Sequence, residues 1–191
     1  MRYSAEHKED TRRRVVQASG ALSKKQGFSA TGVDGLMGAA GLKGSTFYHH
    51  FGTKNDLLGE IIGAELENSR KLFMGKQDGS KRDLLKQLLG YMSTQHVEAP
   101  ENGCVLPTLS VEVARTNEEV KKIYEDSISP IYNDMQEVIG DGDTTWALIA
   151  LSVGAVMMAR AVDSEKCRDE ILKSCGNFVK KTITALENGQ P

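Results

Sequence analysis

Apolar residues return every three to four positions along almost the whole chain, and only 4 prolines interrupt them. That rhythm constrains the fold to an all-α assembly of amphipathic helices, because no run alternates with a period of two for long enough to make a strand. The spacing predicts a first helix from Ala5 to about Gln26, with Val15, Ala18 and Leu22 on one face. Arg12, Arg13, Arg14, Lys24 and Lys25 fall largely off that face, and Gly27 stops the helix. Short helices are expected at 33–40 and 45–50, then a long one from Asn55, with Thr53 as N-cap and Asp56 in its first turn. Further helices are expected around Leu84–Met92, at 104–114, at 118–139 with a kink or joint at Pro130, at 144–162 and at 165–186. The total is about nine.

Charge separates the chain into two parts. Its 191 residues are 39% hydrophobic and 26% charged with a net charge of -2, an ordinary globular balance. Residues 1–54 hold nine Lys and Arg against four Asp and Glu, whereas the remainder holds fifteen against twenty-two. A basic first quarter ahead of an acidic body points to an anionic partner for residues 1–54, with a solvated helix face as the alternative. Cys104, Cys167 and Cys175 show no CxxC spacing, which suits a reducing compartment better than a disulfide framework. The polar first ten residues lack a secretory core, and the apolar run 146–158 is broken by Ser152 and Gly154. A soluble, cytoplasmic protein with no membrane partner is therefore expected.

The most specific stretch is 28–58. Two short helices joined at Ala39-Ala40-Gly41 make a helix-turn-helix, with Gly41 where the turn needs a positive φ. Leu36, Ala39, Leu42 and Phe47 are placed to lock its helices together. In such a unit the second helix enters the major groove while the flanks hold phosphates. A plain helical hairpin is the competing reading.

The residues Gly27-Phe28-Ser29-Ala30-Thr31, Val33-Asp34-Gly35-Leu36, Ala39-Ala40-Gly41-Leu42 and Thr46-Phe47-Tyr48-His49-His50-Phe51-Gly52-Thr53-Lys54 resemble the N-terminal domain of tetracycline-repressor-type (TetR/AcrR) transcriptional regulators. The resemblance covers roughly residues 10–60. It implies a homodimer that binds a palindromic double-stranded operator through residues 1–54 and releases it when a small-molecule effector occupies residues 55–191. Position by position, it implies DNA contacts from Thr31, Thr46, Tyr48 and His49, and a phosphate contact from Lys54. Tyr48 and Lys54 suit the DNA backbone, while Lys43, Ser45, Thr46 and His49 are candidates for base edges. Gly44 and Gly32 depart from the Lys or Arg and the Thr common at those positions.

In the body, the helix expected at 144–162 is apolar on most of its circumference and should be buried on both sides. By analogy it pairs with the last helix in a dimer seam that includes Ala147, Leu151, Gly154, Met158, Phe178 and Ile183. A mostly apolar effector pocket would draw on Phe73, Tyr91, Met92, Cys104, Leu109, Tyr124, Tyr132, Trp146 and Met157, although each also suits ordinary core. Glu112 and Arg115 are placed either to orient a charged ligand or to form surface salt bridges. Cys104 is expected to open a helix, a position that favours the thiolate, so an oxidant or electrophile sensor of the same family is the alternative. No metal or cofactor is implied. Neither GxSxG, Walker A nor HExxH occurs, and a thiol enzyme built on Cys104 and His96 is the distant competitor from another class.

Overall fold

The computed structural model describes residues 5–74 and 79–188. Among these the regular structure is all helical: α1 (Ala5–Gln26), α2 (Val33–Ala39), a 3₁₀ segment (Gly44–His49), α3 (Lys54–Met74), α4 (Lys81–Tyr91), α5 (Thr94–Glu98), a 3₁₀ turn (Pro100–Asn102), α6 (Leu106–Val113), α7 (Glu118–Ile139), α8 (Gly142–Ala161) and α9 (Glu165–Glu187). The chain separates into two compact units, Met1–Asn68 with Pro100–Ser127, and Ser69–Ala99 with Ile128–Pro191. The division falls inside α3 and α7, and α7 runs through Pro130 unbroken.

In the first unit, Leu57, Leu58, Ile61, Ile62 and Leu66 of α3 form a fully buried stripe, as do Leu36 and Met37 of α2 and Val15 of α1. The start of α3 is fixed reciprocally. Asp56 N donates to Thr53 Oγ1 at 3.1 Å, and Thr53 N donates back to the Asp56 carboxylate at 2.9 Å. The Thr53 hydroxyl, the largest contributor, holds the Asp56 carboxyl below its ordinary pKa. Two basic residues placed off the buried face of α1 turn out to be structural. Lys24 is buried, and its Nζ donates to Glu65 Oε2 at 2.7 Å and to Gly103 O at 2.9 Å. Arg12 is half-buried, pairs with Glu60 of α3 through Nε at 2.9 Å, and lies 4.5 Å above the Phe51 ring. A cation enters such a core only with its charge and donors satisfied, and carboxylates from α3 supply that.

In the second unit α9 packs along α8 and α4, while α5 packs on α8. Arg70 makes a two-pronged pair with Asp134, at 2.6 and 3.0 Å. Arg160 of α8 donates to His96 O at 2.7 Å and Val97 O at 3.2 Å, satisfying carbonyls at the end of α5. The short α5, absent from the sequence reading, is opened by Ser93, whose hydroxyl accepts from His96 N. One helix among the described residues, α8, is long and apolar enough to cross a membrane by length and composition. Ser152 and Gly154, expected to break the apolar run, lie inside this continuous helix. Leu148, Ile149, Ser152, Ala155, Val156 and Ala159 bury one face of α8 in its own unit.

Candidate nucleic-acid interface

The head is a helix-turn-helix built on α1. Ser19 Oγ donates to Leu36 O at 3.0 Å, joining α1 to α2. At the turn Gly41 has a φ of 71°, and Leu42 N returns to Met37 O at 3.0 Å. A side chain would strain that backbone, so the glycine is required there. Leu36 and Phe47 are fully buried as expected, Leu42 is half-buried, and Ala39 is exposed while Met37 of the same helix is buried.

The second element of the motif is one tight 3₁₀ segment rather than the α-helix expected at 45–50. Its first turn closes on Lys43 O, which accepts from Thr46 N at 3.0 Å and Thr46 Oγ1 at 2.7 Å. Gly44 has a steric reason. A Cβ there would stand 1.7 Å from Asp34 Oδ1 and 3.1 Å from the Asp34 Cα, so a side chain at 44 requires the exposed Asp34 carboxylate to turn away and α2 to give slightly. Gly32, by contrast, faces open space and precedes α2 without a side-chain cap.

This segment has two faces. Phe47 points inward, edge-on to Tyr48 at 5.2 Å and 5.4 Å from Phe51. Lys43, Ser45, Tyr48 and His49 are exposed, Tyr48 by 74%, and Thr46 is half-buried. The Arg12 guanidinium donates to the His50 carbonyl and so ties the segment's end to α1. Burial, and then the charges of Lys8, Arg12 and His49, hold the His50 imidazole below its ordinary pKa; its Nδ1 is buried without a hydrogen-bond partner.

Two residues expected at DNA serve the connector between α1 and α2. Thr31 is turned inward, 8% exposed, with its hydroxyl donating to Gly27 O at 2.7 Å. Lys54 Nζ donates to Phe28 O at 2.8 Å and Ser29 O at 3.4 Å, and stands 4.7 Å above the Phe28 ring. Burial holds its ammonium below the ordinary lysine pKa, and the Glu112 charge pulls it back up.

Residues 15–61, which span this head, match the family model described as bacterial regulatory proteins of the tetR family. Over this segment the chain is similar to the TetR family. A curated relative in sequence, an uncharacterised helix-turn-helix transcriptional regulator from the lacX 3' region of Lactococcus lactis, is 21% identical over 69% of this chain and 67% of its own. Among solved structures, Escherichia coli NemR in its reduced form is 20% identical with a TM-score of 0.71, covering 90% of this chain and 96% of that one. A TetR regulator from Legionella pneumophila is 16% identical with a TM-score of 0.73, covering 95% and 99%. These likenesses carry the TetR fold through both units.

The residues expected to line an effector pocket fall in both units. Cys104, Leu109 and Tyr124 belong to the first unit; Tyr91, Met92, Tyr132, Trp146 and Met157 belong to the second. The Phe73 side chain lies outside the described residues. Leu109 is fully buried, and Tyr124 Oη lies 3.0 Å from Ser110 Oγ, with burial raising the phenol's pKa. Cys104 is buried just ahead of α6, and its Sγ accepts from Leu106 N at 3.5 Å. Tyr91 packs edge-on to His96 at 4.5 Å, and Met92 borders an open groove between α4 and α9. Trp146, stacked on Tyr132 at 4.6 Å, and Met157 are exposed on α8.

The expected seam residues divide in the same way. Ala147 and Met158 are exposed on α8, with Leu151 and Gly154 half-buried on the same stripe, and Phe178 of α9 is exposed. A Cβ on Gly154 would meet nothing within 4 Å. Ile183 is fully buried within its own chain and does not belong to an outer face. The sequence expected α8 to be buried on both sides; the single chain buries one.

Proposed function

We propose that this TetR-family DNA-binding regulator is a cytoplasmic homodimeric repressor, not an enzyme, that binds a palindromic operator and releases it when a small-molecule effector binds in residues 55–191. The observation that carries the reading is the two-faced Gly44–His49 segment. Its apolar side is anchored by Phe47, and its solvent side presents Lys43, Ser45, Tyr48 and His49 with no carboxylate among them. Ser45, Thr46, His49 and Lys43 read base edges, and the Tyr48 hydroxyl holds a phosphate. Lys54 keeps one ammonium proton for the backbone beyond its two bonds to the connector. Residues 1–54 act as the DNA-contacting part, although their compact unit extends further along the chain.

The exposed apolar stripe of α8 with Phe178 supports dimerisation. Large apolar side chains at helical spacing mark an interface when they gather on one face. Two heads on consecutive major grooves would stand about 34 Å apart. Selection of fragments from sheared genomic DNA tests the reading. Recovery of one inverted-repeat sequence is expected, and recovery of no fragment above background would reject it.

Cys104 favours a second reading, a regulator of the same family whose response runs through the thiol. Its sulfur accepts the first N–H of α6, so a change at the thiol bears directly on the start of that helix. Release of DNA by an oxidant in the wild type but not in Cys104→Ser would select this reading.

A further inference from the structure

Glu112 lies in the last turn of α6, and its carboxylate collects three hydrogen bonds from residues more than eighty positions earlier. Phe28 N donates to Oε1 at 2.8 Å, while Ser29 N and Ser29 Oγ donate to Oε2 at 2.6 and 2.7 Å. From the other side, the Lys54 ammonium takes the carbonyls of the same two residues. The connector from α1 into the helix-turn-helix is therefore held between an anion on α6 and a cation at the start of α3. Its own turn is closed by Thr31 on Gly27, where an added Cβ would meet Glu112 Oε1 at 3.2 Å. All these residues lie in one compact unit.

Charge-assisted bonds of this kind are about twice as strong as neutral ones and tolerate little lengthening, so a shift of α6 by about 1 Å disrupts all three together. At the other end of this eight-residue helix sits the Cys104 sulfur. We propose that Glu112 is a positioning residue for DNA recognition: by clamping Phe28 and Ser29 it fixes the angle at which the helix-turn-helix leaves α1. This rests on the DNA-binding reading and adds a residue outside 1–54 that sets how the head is presented. Holding the head in one orientation before it meets DNA avoids an ordering cost on binding.

The test uses the full-length wild type, Glu112→Gln and Ser29→Ala, with the fragment selected by the wild type as probe. Fluorescence anisotropy and amide exchange over residues 27–32 are the readouts. Glu112→Gln is expected to weaken binding about tenfold with an unchanged salt slope, and to speed exchange at Phe28 and Ser29. The sign discriminates, because simple electrostatics predicts that removing an anion from a DNA-binding head tightens binding. Ser29→Ala, which removes one of the three bonds, should weaken binding about threefold and guards against misfolding of the first variant. Unchanged or tighter binding by either folded variant overturns the proposal. Failure of the wild type to select any DNA rejects the DNA-binding reading instead.

Discussion

The head and helix α8 handle apolar surface in opposite ways. In the head, Val15, Leu36, Met37, Phe47 and Leu57 are fully buried, and the exposed face carries Lys, Ser and His, with the hydroxyl-tipped Tyr48. In α8, one face is buried and the other presents Trp146, Met157 and Met158, with Phe178 exposed on α9. The head is finished as a monomer and turns polar groups outward; α8 is unfinished and turns methionines outward. The first pattern suits a wet, charged partner, and the second suits a dry, self-complementary one.

The contrast breaks most readily at α8. Met158→Asp places an unpaired charge at the proposed seam and should raise the dimer dissociation constant at least about a hundredfold, read by sedimentation velocity. An unchanged mass would show that this exposed face is simply solvated. Within the head, Gly44→Ala forces a methyl onto Asp34 and should cost about 1–3 kcal/mol in denaturant unfolding. The same change at Gly154, which faces open space, should not destabilise the isolated chain.

Tyr48→Phe sharpens the comparison from the other side. The ring is 74% exposed, so thermal stability should hold while affinity for the selected fragment falls about fivefold to tenfold. The smallest effect concerns His50. Its folded pKa lies below the ordinary 6.5, so the unfolded chain takes up the proton first as pH falls. His50 therefore makes stability decline from about pH 6.5 down through its folded pKa, and His50→Phe should flatten that slope in unfolding titrations. An identical slope in the variant would assign the decline to other groups.

Local pattern carried most of the fold. The helix periods, the Gly27 and Gly41 breaks and the Thr53 cap depend on near neighbours, and the structure repeats them with small shifts. Three features were not readable because their partners lie far along the chain. Lys24 looked like a surface residue until Glu65 supplied its counter-charge, 41 positions away. Gly44 looked like a lost basic contact until α2 brought Asp34 against it. Glu112 offered a ligand or a surface ion pair as readings, and it holds the connector 84 positions earlier. Ile183 and Trp146 show a different limit. Apolar periodicity marks a face for burial without saying whether the same chain, a second copy or solvent covers it.

The central claim is that the exposed side of Gly44–His49 meets phosphates and bases on one site shared by two chains. Titrating the selected fragment with wild-type protein between 50 and 200 mM salt tests it directly. For about 6–10 phosphates neutralised, the account predicts two chains per site and an affinity loss of roughly 10³–10⁵ across that range. One chain per site, or an affinity indifferent to salt, would contradict it.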